Sequence, residues 1–237
     1  MTRQSRKSIA FIPARSGSKR LQNKNIRMLA GIPLVCHTVN AFIKADCFDK
    51  IIFSSDSDQY HSLVDKYCSH TLISHHTRTN DEAGDKVKIF DYIVNNIDSF
   101  CSPNDTFSMG LPTAPLRNSH HLREAFNLSC EQKKNVFSCV EYDFALSFAF
   151  SIENDVWVSN SSNSPMNTGN TRSQDQKNFY HPNGAIYIIR DIAKMKTQKT
   201  FYTNAIPYIM SRIDSFDIDT EDDFIMAQAL LQAKKIN

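Results

Sequence analysis

The stretch FIPARSGSKRLQNKN, residues 11–25, places a short apolar run directly before a loop rich in glycine, serine and basic residues. A buried strand followed by such a loop is typical of doubly wound α/β sheets, which bind ligands beyond the carboxyl ends of their strands. Gly17 allows the backbone to approach an anion closely, and Ser16 and Ser18 offer hydroxyl donors. No acid balances the basic side chains of this stretch, which are Arg15, Lys19, Arg20 and Lys24.

Cations of this kind suit the oxygens of a polyphosphate. A solvated basic loop would account for the stretch alone about equally well. The loop matches neither the G-x-x-x-x-G-K-[ST] signature nor G-x-G-x-x-G. The usual kinase and dinucleotide-binding motifs are therefore missing from it.

Strand-like and helix-like patterns alternate along much of the chain, which predicts a mainly parallel sheet within a single domain over residues 1–237. Further strands are expected at KIIFSSD (50–56), DTFSMGL (105–111) and GAIYIIR (184–190). Helices are expected to begin at Pro33, Ser57, Gly84 and Ser119.

The pattern changes after residue 134. NVFSCVE, FALSFAF and DVWVSN read as three strands with little helix between them, which indicates an inserted antiparallel element. Residues 160–183 are polar and rich in Asn and Ser, and loops of that length are commonly functional.

Composition limits the classes of function. The six cysteines form no C-x-x-C pair, so we expect reduced thiols in a cytoplasmic protein. No run approaches the roughly 18 apolar residues of a membrane span, and we expect no membrane partner. The net charge of +2 is low for a nucleic-acid binder, and we expect no nucleic-acid partner.

The acids are concentrated far from the basic loop. None precedes Asp46, whereas the segment FDIDTEDDF (216–224) is crowded with them. Asp217 and Asp219 would point the same way in an extended segment, and two carboxylates on one side suit Mg²⁺. Thr220 would then cap the last helix, with Asp223 completing a capping box.

Two more segments are expected at the same edge of the sheet. LPTAPLR (111–117) forms a rigid turn from which Arg117 could reach an anion, and NGAIYI (183–188) begins a strand. The histidine pairs at 75–76 and 120–121 lack the spacing of a zinc site.

Taken together, IPARSGSKRLQNKNI, IIFSSDSDQ, LPTAPLR, NGAIYI and DIDTEDDF resemble, in order and separation, the acylneuraminate cytidylyltransferases, which make CMP-sialic acid and its bacterial relatives. The resemblance runs from about Ile9 to Leu230. It implies a three-layer α/β/α nucleotide-binding fold, Rossmann-like and of the nucleotide-diphospho-sugar transferase type. It also implies a homodimer, formed through an inserted dimerisation element at about residues 139–185.

The resemblance implies a reaction between CTP and a 2-keto-3-deoxy sugar acid that gives a CMP-sugar and pyrophosphate. The implied catalytic residues are Arg15, Lys24, Asp217 and Asp219, with Mg²⁺ as cofactor on the two aspartates. The implied nucleotide-binding residues are Ala14, Arg15, Ser16, Gly17, Ser18, Lys19, Lys24, Asn25 and Arg78. The implied sugar-binding residues are Leu111, Arg172, Tyr180 and Asn183.

The chain departs from the family pattern mostly at positions that recognise the substrate. Leu111 stands where the family usually has a substrate-contacting Gln, and further departures fall at Gln22, Thr79, Lys88, Ile89 and Ala114. We therefore expect the same reaction class with an altered sugar acid. The alternative is a nucleotide-binding homologue with weakened catalysis that acts as a sensor or partner protein.

Overall fold

A computed structural model describes residues 6–236 of the chain. Its strands are β1 Ser8–Pro13, β2 Met28–Leu29, β3 Ile32–Pro33, β4 Lys50–Ser55, β5 Ile73–Thr77, β6 Thr106–Met109, β7 Asn135–Glu141, β8 Phe150–Glu153, β9 Val156–Ser159, β10 Tyr180–Ile189 and β11 Ala205–Ile209. Its α-helices are α1 Leu34–Ala45, α2 Asp58–Cys68, α3 Ile89–Phe100, α4 Ser119–Gln132, α5 Pro165–Thr168, α6 Ile192–Met195 and α7 Glu221–Ile236.

A seven-stranded sheet in the order β11-β7-β10-β6-β1-β4-β5 forms the centre of the protein. Strand β1 lies between β4 and β6 and is parallel to both, while β10 runs antiparallel to β6 and β7. The expected mainly parallel sheet is therefore confirmed, with β10 as its one reversed strand among the residues described.

Helices cover both faces of the sheet. Successive residues of β1 alternate between two cores: Ala10 and Ile12 belong to the one that includes residues of α1, α2 and α4, and Ile9 and Phe11 to the one that includes residues of α3 and α6. Side chains of a strand point to opposite faces in turn, so both faces of β1 are buried. This is the three-layer α/β/α arrangement.

Helix α7 completes the fold over the end of the basic loop. Phe224 and Ala227 of α7 pack with Leu21, Leu29 and Leu116 in a third apolar cluster. Because Leu21 lies within the basic loop, this packing brings the start of α7 and the acidic segment before it next to that loop.

Several expected element boundaries are wrong. Residues 144–148 contain a 3₁₀ turn at Leu146–Phe148 rather than a strand, and the strand begins only at Phe150. The third helix begins at Ile89 rather than Gly84, because turns occupy the preceding residues. Helix α4 is capped by Asn118, whose side chain accepts hydrogen bonds from the backbone N–H groups of His120 and His121.

The element outside the central sheet is smaller than residues 139–185. Residues 139–141 and 180–185 belong to β7 and β10, so it spans 142–179. Its β8–β9 hairpin forms a separate two-stranded antiparallel sheet. No helix in the described range is both long and apolar enough to cross a membrane.

Candidate active site

A cleft of about 540 Å³ opens beyond the carboxyl ends of β1, β5 and β6. The cleft is lined by the basic loop that follows β1, the segment that follows β5 and the turn that follows β6. This is the edge at which parallel α/β sheets bind their ligands.

Most of the predicted nucleotide-binding residues line this cleft: Arg15, Ser18, Lys19, Lys24, Asn25 and Arg78. Ala14, Ser16 and Gly17 do not line it. The backbone N–H of Ala14 donates to the Ser54 carbonyl at 2.8 Å, which continues the parallel pairing of β1 with β4. The Ser16 hydroxyl donates to Asp56 at 2.7 Å, so this side chain holds the loop in place instead of facing a ligand.

Lys24 links the two charged segments of the sequence. Its buried Nζ donates to the Ile218 carbonyl at 2.5 Å and to Asp219 Oδ1 at 3.1 Å. Arg20 contacts the other carboxylate oxygen of Asp219 at 2.9 Å. The basic loop and the acidic segment therefore meet in the folded protein, and Asp219 lines the cleft.

Asp217 lies beside this junction and not in the cleft lining. The fully buried Ile218 separates it from Asp219, and the Ile218 N–H donates to the Thr113 carbonyl at 2.8 Å. Asp217 is an exposed residue, but partial desolvation of its carboxyl raises its pKa, and repulsion from the Asp219 carboxylate adds to this. The two carboxylates are thus near enough to repel each other.

This donor set fits Mg²⁺. Within residues 6–236, no group of three or more His, Cys, Asp or Glu side chains could hold a metal ion. Magnesium usually takes one or two carboxylates and fills its other positions with water and substrate phosphates. Asp217 and Asp219 offer carboxylate oxygens of this kind, and in this structure Lys24 and Arg20 contact the two oxygens of Asp219.

Asp85 is a member of the site that sequence reasoning missed. It accepts a hydrogen bond from Arg15 Nη1 at 2.7 Å and pairs with Lys19 Nζ. The hydrogen bond from Lys19 and the nearby positive charges lower the pKa of the Asp85 carboxyl. The available signal is an acid at the end of RTNDEAGD (78–85), the stretch that begins with Arg78.

Arg78 and Asn25 line the cleft and carry buried polar atoms. Each side chain belongs to a residue that is only 6% exposed. Arg78 Nη2 donates to the Ser54 carbonyl at 3.3 Å, and Asn25 Nδ2 donates to the Arg15 carbonyl at 3.0 Å. In the described part of the chain, Arg78 Nε and Asn25 Oδ1 have no hydrogen-bond partner. Burial lowers the pKa of Arg78, which indicates a cation in dry surroundings.

Of the predicted sugar-binding residues, only Leu111 lines the cleft. Arg172 and Tyr180 are exposed on or beside the long polar loop. The amide of the buried Asn183 accepts from Ser138 Oγ at 2.5 Å and from the Ala185 N–H at 3.1 Å, and it donates to Ser215 Oγ at 2.8 Å. The structure therefore gives Asn183 a structural position within β10, where it bonds to β7 and to the segment after β11, and it does not bring these three residues to the cleft.

Arg117 does not reach toward a ligand, contrary to the expectation from its turn. It is fully enclosed, with Nη1 donating to the Ala185 carbonyl at 2.7 Å and to the Leu111 carbonyl at 3.3 Å. Its guanidinium lies 5.4 Å from the centre of the Phe42 ring. Arg117 braces the turn after β6 against β10.

Comparison with known proteins finds relatives that match nearly the whole chain. The N-acylneuraminate cytidylyltransferase of Escherichia coli O18:K1:H7 (strain RS218 / NMEC) is 32% identical over 96% of this chain and 53% of its own length. The CMP-N,N'-diacetyllegionaminic acid synthase of Legionella pneumophila is 29% identical over 94% of this chain and 96% of its own length. The chain thus spans about half the length of the first of these relatives and nearly all of the second.

A solved structure with a similar fold is a CMP:2-keto-3-deoxy-manno-octonic acid synthetase complexed with CTP. Its TM-score is 0.70 at 13% identity, covering 96% of this chain and 99% of the other. At that identity the likeness shows the fold alone. Residues 9–235, which include the basic loop, the acidic segment and the whole cleft between them, match the family described as cytidylyltransferase, and the chain belongs to that family.

Proposed function

We propose that this protein transfers CMP from CTP to the anomeric hydroxyl of a 2-keto-3-deoxy sugar acid, such as sialic acid or another nonulosonic acid, and releases pyrophosphate. The observation that carries the proposal is the junction of the basic loop with Asp219 at one cleft. Phosphoryl transfer requires positioning and neutralisation of charge, and this junction is built from groups suited to both.

In the proposed reaction, the anomeric oxygen attacks the α-phosphorus and the bond from that phosphorus to the β-phosphate oxygen breaks. Pyrophosphate carries away the bonding electrons, and the hydroxyl proton passes to solvent. Arg15, Lys19 and Lys24 hold and neutralise the triphosphate. Arg78 and Asn25, whose buried Nε and Oδ1 have no partner in the range described, hold the nucleoside.

Asp217 and Asp219 would hold Mg²⁺, which when bound neutralises phosphate oxygens and lowers the pKa of a coordinated hydroxyl. Lys24 keeps Asp219 at the mouth of the cleft through its hydrogen bonds to that carboxylate and to the Ile218 carbonyl. The backbone hydrogen bond from the Ile218 N–H to the Thr113 carbonyl holds the segment that carries Asp217 and Asp219 against the turn after β6.

The test is a coupled assay of pyrophosphate release with CTP, Mg²⁺ and a panel of nonulosonic acids. Release that requires both CTP and one of the acids supports the proposal. Folded protein that releases no pyrophosphate with any acid on the panel contradicts it.

A second candidate is a nucleotide-binding homologue with weakened catalysis. It is favoured by the position of Arg172, Tyr180 and Asn183 away from the cleft, which leaves the sugar side of the site with few polar groups. Calorimetric titration with CTP, combined with the pyrophosphate assay, separates the two candidate functions. The second candidate predicts CTP binding without turnover of any acid.

We also propose a cytoplasmic homodimer. All six cysteines are free thiols, as expected in a reducing compartment. The β8–β9 hairpin exposes Phe150, Ile152 and Trp157 on one face, and an exposed apolar surface of this kind marks an interaction surface. A second copy of the chain is the proposed occupant, and light scattering after size exclusion would measure the mass.

A further inference from the structure

The lining of the cleft combines two kinds of side chain. The basic loop contributes cations, and Val87, Ile89, Leu111 and Pro112 contribute apolar surface. A ligand that fills the cleft therefore meets both positive charge and apolar side chains.

Leu111 is one of these four apolar residues, which we call the apolar wall, and hydrogen bonds hold its backbone on both sides. Its N–H donates to the Gly184 carbonyl at 3.1 Å, and its carbonyl accepts from Arg117. Its side chain lies over Gly184, where an added Cβ would come within 3.0 Å of Leu111 Cδ1. Gly184 also has a φ of +70°, so this close approach is available to glycine and to few other residues. The Leu111 backbone is therefore fixed on both sides, and its side chain packs over Gly184.

Ile89 extends the same wall from the first turn of α3. Ile89 and Leu111 both line the cleft and both pack against the core that lies under α3. Neither side chain can donate or accept a hydrogen bond. A substrate hydroxyl placed against them would lose its bonds to water without replacement.

We propose that Leu111 and Ile89 select a sugar acid that turns a methyl, methylene or other apolar group toward this wall rather than a hydroxyl. The inference rests on the proposed function and defines the substrate class of the same site. Leu111 lines the same cleft as Asp219 and as Thr113, which lies two residues along the same turn. The preferred substrate is therefore a deoxygenated sugar acid.

The size of the preference follows from the chemistry of the wall. An apolar pocket discriminates weakly against an added hydroxyl, by at most about 10²-fold. We expect a preference for the deoxy member of about 10- to 100-fold in kcat/KM.

The experiment uses matched pairs of sugar acids that differ by one hydroxyl replaced by hydrogen, with a different carbon changed in each pair. The wild-type protein should favour the deoxy acid in at least one pair, and Leu111→Gln should reduce that ratio about tenfold. A ratio is insensitive to general damage, which affects both acids equally. Ile89→Thr, which keeps the β-branched shape, serves as a second variant if the first does not fold.

Ile225→Gln is the matched control, because Ile225 is exposed on α7 and away from the cleft. It should leave the ratio unchanged. Ratios within about threefold of unity in every pair, or a ratio that Leu111→Gln and Ile89→Thr leave unaltered, would overturn the inference. If no acid is turned over, the proposed function fails, and the inference is then tested separately. The same pairs of acids are titrated by calorimetry in the presence of CTP. Equal affinities of the protein for the two acids of every pair would overturn the inference.

Discussion

Lys24 and Asp219, 195 residues apart in the chain, contact each other at 3.1 Å between Nζ and Oδ1. Lys24 lies in a 3₁₀ turn at the end of the basic loop, and Asp219 lies just before α7. The contact is partly buried, so both side chains are held in one arrangement before any ligand arrives. Cation and carboxylate are thereby placed at the same cleft.

Asp219→Asn should reduce pyrophosphate release at least about 100-fold while the fold remains intact, because the amide cannot replace the charge of a metal-holding carboxylate. The measurement is turnover as a function of Mg²⁺ concentration, together with thermal unfolding. Asp222→Asn, at an exposed residue in the first turn of α7, is the control and should retain activity. Normal turnover by Asp219→Asn would show that the metal is held elsewhere.

Lys24→Met should lower both stability and CTP affinity. The change leaves the Ile218 carbonyl without its donor and Asp219 without its buried cation, which costs about 1–3 kcal/mol of unfolding free energy. Urea unfolding and calorimetry with CTP provide the two measurements. Lys19→Met is the comparison, since the Lys19 side chain is 79% exposed and its loss should leave stability unchanged. Equal stability of the two variants would contradict the structural role of Lys24.

The charged parts of the site could be predicted because each is a continuous motif. The basic loop follows a strand whose apolar run is evident, and the acidic segment carries its own capping signal: the Asp223 carboxylate accepts from the Thr220 N–H at 2.8 Å. Both are local features, and local features are readable from one sequence.

The remaining site residues depend on distant contacts. Asp85 pairs with residues 66 and 70 positions away, and nothing within its own segment identifies those partners. Asn183 resembles a site residue at a strand start, but its partners Ser138 and Ser215 come from other elements. The expected start of α4 at Ser119 is one residue away from its actual cap, Asn118, because both residues are good caps.

Asp214→Asn should destabilise the protein by about 1 kcal/mol at neutral pH and less in acid. Burial opposes ionisation of Asp214, but hydrogen bonds from Lys234 and Ser211 and the nearby His121 together lower its pKa. A carboxyl with a lowered folded-state pKa contributes stability that is present above its unfolded pKa of about 3.9 and is lost as the pH falls through the folded value. Urea unfolding from pH 7 to pH 3 measures this, and Asp155→Asn in the exposed hairpin turn is the control. A difference that is independent of pH would exclude a charged Asp214 as the cause.

Ile152→Lys should convert the proposed dimer into a monomer. Ile152 is 71% exposed on β8, within the apolar face of the hairpin, and a buried lysine at an interface is strongly unfavourable. Light scattering after size exclusion measures the mass. Ile225→Lys, at a residue 59% exposed on α7, is the matched control and should not change it. A wild-type monomer, or an unaltered mass for Ile152→Lys, would rule out this hairpin as the dimer contact.

Asp85→Asn should increase the affinity of the metal-free protein for inorganic triphosphate by about three- to tenfold. Asp85 forms ion pairs with Arg15 and Lys19, the same cations that are proposed to hold the triphosphate. A polyphosphate therefore has to displace the Asp85 carboxylate before it binds. Exposed ion pairs are individually weak, and this keeps the expected gain modest. Asp91→Asn on the exposed face of α3 is the control. The measurement is calorimetric titration with triphosphate at low and high salt. Weaker binding by Asp85→Asn would mean that the carboxylate orients the two cations for the ligand instead of competing with it.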